Sequence, residues 1–283
     1  MLNIIKMDLY KMFKSRSFYM LSIAIIIIAI SFSILVRITL NVDYESARRS
    51  SIDYSYSVDG NMINTGDPAL TEEEYYMIQE AMQEDLGVGD FIQLLYSAST
   101  VLLVIFISIF VSSEWDSGFI KNIIPLRNSR YHLLISKNII VFLFILIQGI
   151  ISFGSAVAAN LVFSGKVDIP EFKKLIIFMG LQFLLRLAFG SFLILISHLS
   201  KSKAITISIG ILLAVNIHGK LIELLDRIIP ISKLSLAKLS LINNMKMLEI
   251  NLDIHQRIII ISIVYFMVYT IISLFRIRTV EVD

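Results

Sequence analysis

The residues best suited to chemistry lie in one charged stretch, residues 112–137, which separates two long apolar runs. The stretch carries charges of both signs and the single tryptophan of the chain: Glu114, Trp115, Asp116, Lys121, Arg127, Arg130 and Lys137. Mixed charges suit ionic contacts with a partner protein, because complementary charges orient and select that partner. The stretch is therefore predicted to bind another protein rather than to catalyse a reaction.

Catalytic and cofactor chemistry finds little support elsewhere in the chain. There is no cysteine, which excludes disulfides, thiol nucleophiles and iron–sulfur clusters. The four histidines are scattered and form no His-Glu-x-x-His motif, which argues against a metal enzyme. The nearest approach to a phosphate-binding loop, residues 160–167, has Asn160 in place of the first glycine and Val167 in place of the hydroxyl residue. No cofactor is expected in this chain, and any ATP hydrolysis must occur in another one.

The composition is that of an integral membrane protein. The 283 residues are 56% hydrophobic and 17% charged, with a mean hydropathy of +0.78, whereas a soluble domain carries about a quarter charged residues. No nucleic-acid partner is expected.

Six apolar stretches indicate membrane spans, since about 20 apolar residues cross the hydrocarbon of a bilayer as a helix. They are residues 18–36, 91–111, 139–163, 175–199, 204–217 and 258–275. The predicted fold class is an all-α integral membrane protein, with six transmembrane helices in a single domain over residues 1–283.

Residues 1–16 predict a short amphipathic helix at the membrane surface. Five apolar residues recur at spacings of three or four and form one helical face, while three lysines fall largely outside it. The apolar residues are Leu2, Ile5, Leu9, Met12 and Phe13, and the lysines are Lys6, Lys11 and Lys14. Such a helix lies among anionic headgroups. The alternative is a basic flank that only orients the first span.

Residues 41–90, between the first two spans, form an acidic segment in which twelve acidic residues oppose two arginines. Part of it is predicted to be helical, because Thr71 and Glu74 have the spacing of a capping box. The segment is either a solvated loop that packs on the ends of the spans or an acidic vestibule that attracts cationic cargo. A second outer segment, residues 219–256, is amphipathic.

The distribution of basic residues predicts the orientation in the membrane. The short loops assigned to the inside are all basic, and the acidic segment falls outside, as the positive-inside rule requires. Several lysines in residues 219–256 depart from the rule. Both termini are predicted to be cytoplasmic.

Arg186 is the one charge deep within a predicted span. A charge at that depth is costly unless it meets a partner, water or a protein interior. Arg186 therefore faces a cargo path or a dimer interface, or else it is held by backbone carbonyls or by amides such as Gln148 and Gln182.

Taken together, these features resemble the permease subunits of ABC-2 type transporters. The likeness rests on the basic amphipathic residues 4–18, the six spans and the amphipathic segment before the last span. It also rests on the loop after the second span, where Glu114 is followed four residues later by Gly118 and then by the basic Lys121, Arg130 and Lys137.

This resemblance implies two permease subunits, either two copies or a paralogous pair, with two cytoplasmic ATP-binding-cassette ATPases that hold ATP and magnesium. It implies export across a bacterial cytoplasmic membrane. The size and outer loop are similar to those of Gram-positive exporters of antimicrobial or amphipathic peptides, which implies a peptide-like or hydrophobic substrate.

Within that family likeness, a helix over residues 113–123 would lie along the membrane face. Trp115 and Phe119 would anchor it in the interface, where aromatic rings are favoured. The residues expected to couple to the ATPase are Glu114, Asp116, Gly118, Lys121, Arg127 and Arg130. The alternative is an ordinary interfacial loop. Two other functions remain open: a membrane-embedded accessory or sensor protein, and a lipid-modifying enzyme, both without an ATPase partner.

Overall fold

The computed structural model describes residues 2–43, 55–58, 61–64, 71–85, 87–116, 118, 129–164, 169, 171–216, 219, 236–248 and 255–279. In chain order the elements are α1 Leu2–Lys14, α2 Arg16–Leu40, β1 Ser55–Val58, β2 Asn61–Asn64, α3 Glu72–Asp85, α4 Val88–Asp116, α5 Ser129–Ser164, α6 Phe172–Ser200, α7 Lys203–Ala214, α8 Leu236–Leu239, α9 Leu241–Met247 and α10 His255–Thr279.

Five of these helices are long and apolar enough to cross a membrane. They are α2, α4, α5, α6 and α10, and they coincide with five of the six predicted spans. The helices α4 and α6 are the most buried, whereas α2 and α10 expose many isoleucines on their outer faces. Exposed apolar faces of this kind match a lipid environment, in which hydrocarbon is the solvent.

The core of the bundle is built from aromatic rings on α4 and α5. The rings of Phe106 and Phe144 stack with centroids 3.7 Å apart, and Phe18 of α2 meets Phe144 edge-on at 6.1 Å. Farther along, the Ser33 hydroxyl of α2 donates to the carbonyl of Ala159 at 2.8 Å. These contacts place α2 and α4 on α5, and α10 packs along α6.

The fifth predicted span is a shorter helix in the structure than the sequence predicts. The helix α7 has 12 residues, which gives a length of about 18 Å, against a hydrocarbon thickness of about 30 Å. It ends at Ala214, and Asn216 follows with a positive φ of 63°. The apolar sequence continues to Ile217, but the helix does not continue with it. A sixth full-length span is therefore absent from the described residues.

The helix α7 approaches its neighbours closely at Gly210. A methyl group built there would lie 2.4 Å from Cγ1 of Val104 on α4 and 3.0 Å from Cδ2 of Leu193 on α6. Only glycine fits this contact, which brings the α7 backbone against two spanning helices.

The acidic segment contains regular structure. The capping box is confirmed: the Glu74 N–H donates to the Thr71 hydroxyl at 3.3 Å, and the Thr71 N–H donates to the Glu74 carboxylate at 2.9 Å. The Thr71 N–H and the Thr71 hydroxyl both donate to the Glu74 carboxylate, which holds the pKa of Glu74 below its ordinary value. The strands β1 and β2 pair antiparallel, with Ser55 opposite Asn64. The all-α prediction missed this hairpin, although Asp59-Gly60 between the strands is a typical hairpin-turn dipeptide.

Replacing Gly210 with alanine is expected to lower the melting temperature of the purified protein, because Val104 must move to admit the new methyl group. The cost of such overpacking is about 1–3 kcal/mol. The second change Val104→Ala should recover part of the loss. Gly154→Ala is the matched control, since a methyl group there meets nothing within 4 Å. Equal melting temperatures for the two glycine variants would contradict the close packing of α7.

Candidate functional site: a buried ion cluster

Four charged side chains meet where α1, the last turn of α4 and the first turns of α5 come together. They are Asp8 and Lys11 of α1, Glu114 of α4 and Lys137 of α5, and they are called the ion cluster below. The end of the helix bundle that holds them is called the α1 end. Two acids and two bases give the cluster no net charge.

Lys137 is the centre of the ion cluster. Its ammonium donates to Asp8 Oδ1 at 2.9 Å and forms a second ion pair with Glu114. The neighbouring Ser136 hydroxyl donates to Asp8 Oδ2 at 2.6 Å. Asp8, Glu114 and Lys137 are at most 2% exposed. Lys137 therefore joins three helices through contacts from which water is excluded.

Lys11 lies at the edge of the ion cluster and is partly exposed. It donates to Glu114 Oε1 at 2.9 Å, to the Ser113 hydroxyl at 3.3 Å and to the Phe110 carbonyl at 3.5 Å. The ammonium groups of Lys11 and Lys137 lie 4.9 Å and 4.8 Å from the centroid of the Phe110 ring. A ring face attracts cations, so Phe110 adds to the attraction that holds both lysines.

The free energy of such a cluster depends on whether every charge in it has a partner. Desolvating each charge costs several kcal/mol, which is offset only when every charge has partners in good geometry. Charge-assisted hydrogen bonds are also roughly twice as strong as neutral ones. The ion cluster therefore favours one relative position of α1, α4 and α5, and any displacement of α1 exposes or separates opposite charges.

The helix α6 also contacts the α1 end. Ser112 and Ser197 share a hydrogen bond of 2.8 Å, and the Ser191 hydroxyl donates to Asn138 Oδ1 at 3.1 Å. Trp115 is partly buried here: its ring meets His198 edge-on at 6.0 Å, and the Lys201 ammonium lies 5.4 Å from its centroid.

The structure changes the role predicted for Glu114. The sequence predicted that Glu114 couples to a partner ATPase. In the structure its side chain is 2% exposed and is bound by two lysines of the same chain. The carboxylate thus neutralises Lys137 and Lys11, and coupling through Glu114 stays a prediction. Glu114 positions helices rather than presenting a surface.

The helix predicted over residues 113–123 is also corrected. Residues 113–116 are the last turn of α4, and Gly118 follows with a φ of 67°, its N–H donating to the Trp115 carbonyl at 3.2 Å. A glycine in this left-handed conformation terminates helices, so one helix does not run through residue 118.

The other residues predicted to couple to a partner or to anchor the chain lie in different places. Asp116 ends α4 and Arg130 lies in the first turn of α5, so both belong to helices adjoining the ion cluster. Lys121, Arg127 and Phe119 lie outside the described residues. Trp115 as a membrane anchor stays a prediction, with its ring placed against α6 as given above.

Arg186 is buried in the middle of α6 and is held by α4. Its guanidinium donates to the Tyr96 carbonyl and lies 3.4 Å from the Thr100 hydroxyl, and its Cζ is 4.2 Å from the centroid of the Tyr96 ring. A backbone carbonyl thus holds this arginine, as one of the two hypotheses had it. The amides named with it do not: Gln182 donates instead to the Met245 carbonyl at 2.8 Å.

The end of α7 is tied to α9 by polar contacts. The Lys246 ammonium donates to the Val215 carbonyl at 2.9 Å, and the Asn216 amide donates to Asn243 Oδ1 at 2.7 Å. The last carbonyls of a helix have no partner within it and carry partial negative charge. Lys246 therefore satisfies the end of α7.

An apolar groove of about 620 Å³ lies between α5, α6 and α10. Its lining includes Phe142, Leu187 and Phe266, with Asn138 and Thr270 as polar neighbours. In the described part of the chain, no three His, Asp or Glu side chains gather to hold a metal ion.

Sequence patterns missed Asp8 and Lys137 as members of one cluster. An acid within the basic helix α1 was the available signal, since Asp8 and Lys11 are three residues apart and share a helix face. The partners of Asp8 and Lys11, however, lie more than 100 residues away along the chain. No periodicity of the sequence links those partners to α1.

The five long apolar helices and their lipid-matched faces define a helical membrane protein. Residues 62–282 match the family model described as "Protein of unknown function (DUF2705)". The chain belongs to this family. No curated protein matches the chain.

Removing Lys137 is expected to be among the most damaging single changes at the α1 end. In Lys137→Met, Asp8 loses the ammonium with which it pairs and stays buried, at a cost of about 3–5 kcal/mol. The double variant Asp8→Asn/Lys137→Met should recover part of that loss, because Glu114 keeps Lys11. The measurement is thermal unfolding of the purified protein in detergent.

Lys174→Met is the matched control for this experiment. Lys174 pairs with Glu171 at 3.1 Å, with both side chains more than half exposed, and such pairs contribute at most about 1 kcal/mol. If Lys137→Met melted no lower than Lys174→Met, the ion cluster would not stabilise the α1 end.

Proposed function

We propose that this chain is the membrane-spanning subunit of an ATP-binding-cassette exporter and has no catalytic activity of its own. A cytoplasmic ATPase in a separate chain hydrolyses ATP, and this chain forms the path for an amphipathic peptide or a hydrophobic compound. The permease acts as a dimer, of two copies or of two related chains, in a bacterial cytoplasmic membrane with both termini in the cytoplasm.

The observation that carries the proposal is the ion cluster. A transport subunit driven by another chain must receive motion at one end and pass it to its spanning helices. The ion cluster connects α1, which lies on the exposed side of the α1 end, to both helices that flank residues 117–128. A force on α1 or on those residues is therefore transmitted to α4 and α5 as a unit.

The exposed residues of α1 support the same conclusion. Leu2 and Phe13 are 72% and 46% exposed, although the opposite face of the helix is fixed by Asp8, Lys11 and Met12. Exposed apolar residues on a basic helix suit the interface between lipid and water. The helix α1 then lies at the membrane surface, within reach of a cytoplasmic partner.

The apolar groove supports a cargo with hydrophobic character. Its lining is almost entirely apolar, and two of the lining residues, Phe142 and Ile135, are each 39% exposed. Its position between α5, α6 and α10 gives lateral access to a molecule dissolved in the bilayer. Pockets of several hundred Å³ with few polar groups are typical of sites for apolar ligands.

The coupling role predicts a separation between folding and function for Lys11. In Lys11→Met, the buried pairs among Asp8, Lys137 and Glu114 remain, so the protein should fold and should co-purify with its ATPase. The edge contact between α1 and α4 is lost, and cargo-stimulated ATP hydrolysis by the reconstituted complex should fall severalfold.

Lys14→Met is the matched control, because Lys14 lies one turn away on α1 and bonds only to the Tyr10 hydroxyl of the same helix, at 2.9 Å. It should leave stimulation unchanged. Wild-type stimulation in Lys11→Met would reject the coupling role of the ion cluster. A protein that never co-purifies with an ATPase would reject the exporter proposal itself.

Arg186 supplies a second test of the transport path. Arg186→Leu removes a buried charge, and the Tyr96 carbonyl that it releases lies within α4, so assembly should survive. A role of Arg186 on the transport path requires that transport of a candidate peptide into inside-out vesicles be abolished in this variant. Arg37→Leu is the control, since Arg37 also donates to a backbone carbonyl, that of Val162, but in an exposed position. Unchanged transport by Arg186→Leu would place Arg186 outside the path.

A further inference from the structure

A small polar cavity lies between α4, α6, the end of α7 and α9, away from the ion cluster. Its volume is about 170 Å³. Among the described residues, the polar members of its wall are Gln93, Tyr96, Ser97, Thr100, Gln182 and Lys246. The other described members are apolar and include Phe178, Ile242 and Leu248. The cavity is nearest the starts of α4 and α6, at the end of the bundle opposite the α1 end.

The charge in this wall is of one sign. Among the described residues, Lys246 is the only charged one that lines the cavity, and none of them contributes a carboxylate to it. One of the three N–H groups of Lys246 donates to the Val215 carbonyl, which leaves two for a ligand. Behind the wall, the buried Arg186 bonds to Tyr96 and Thr100, both of which line the cavity. Both cations contribute a positive potential inside.

The size of the cavity limits what it can hold. A volume of about 170 Å³ corresponds to roughly five water molecules at about 30 Å³ each. A phosphate or carboxylate group with one or two attached carbons fits, whereas a peptide or a whole lipid does not. The apolar wall beside Lys246 suits the first carbons of a chain that leaves through the opening.

We propose that this cavity is a binding site for an anionic headgroup, the phosphate or carboxylate of an amphiphile. Lys246 forms the ion pair, the hydroxyl and amide groups of Ser97, Gln93 and Gln182 supply further hydrogen bonds, and Arg186 adds its field. Because Lys246 is itself exposed, its ion pair alone contributes little, and the hydrogen bonds from the cavity wall are needed to hold the anion. The site needs no ATPase partner, so it stands or fails independently of the exporter proposal.

The experiment uses the full-length protein in a neutral detergent and titrates it with hexyl phosphate, inorganic phosphate and hexanol. Binding is measured by calorimetry, and the rise in melting temperature gives a second readout, since a ligand that binds only the folded state stabilises it. Hexyl phosphate should bind saturably and hexanol should not. Lys246→Met should weaken hexyl phosphate binding about tenfold or more, the equivalent of one charge-assisted hydrogen bond.

Lys238→Met is the matched control, because Lys238 is exposed, has the same charge and lies in the preceding helix α8 outside the cavity. It should bind hexyl phosphate as the wild type does. Since Lys246 also satisfies the end of α7, Ser97→Leu provides an independent variant that fills the cavity and leaves that contact in place. Ser97→Leu should abolish binding of hexyl phosphate.

The outcomes separate the sources of the anion. Binding of hexyl phosphate without competition from inorganic phosphate identifies an amphiphile headgroup, such as that of a lipid. Effective competition identifies a site for a free anion, and both results support the cavity as an anion site. Equal binding of hexanol and hexyl phosphate, or wild-type binding in Ser97→Leu, would overturn the proposal.

Discussion

The position of α1 depends on one interaction, the attraction between Lys137 and the two carboxylates of Asp8 and Glu114. A buried ammonium with two acidic partners requires both to be present, and these come from different helices. The partly exposed Lys11 then balances the second carboxylate. Because these buried charges are paired across helices, α1 cannot leave the bundle without separating them in an apolar environment. This constraint makes a surface helix part of the spanning bundle.

Much of the architecture could be predicted from local patterns. Runs of about 20 apolar residues identify α2, α4, α5, α6 and α10 because length and hydropathy suffice for a span. The capping box of α3 is visible in Thr71 and Glu74 because both partners lie within one turn. The dipeptide Asp59-Gly60 also indicates a hairpin, although the acidic composition of the segment favours a solvated loop.

The remaining features depend on contacts that no local pattern encodes. Glu114 is buried because Lys11 and Lys137 neutralise it, and Lys11 lies 103 residues away along the chain. Local sequence does not reveal these partners, and a charged residue near a loop is therefore expected at the surface. The early end of α7 is hidden in the sequence, since apolar residues continue past Ala214. The left-handed Asn216 follows this end, and its partner Asn243 and the partner of the Val215 carbonyl, Lys246, reach it only in the folded chain.

The short helix α7 has a consequence for how the protein is made. The carbonyl at its C-terminal cap, that of Val215, accepts a hydrogen bond from a lysine 31 residues later in the chain. The last carbonyls of a helix have no partner within it, so the end of α7 gains this partner only after α9 has been synthesised. The contacts that hold the end of the fifth apolar segment are therefore completed by residues that precede the last span.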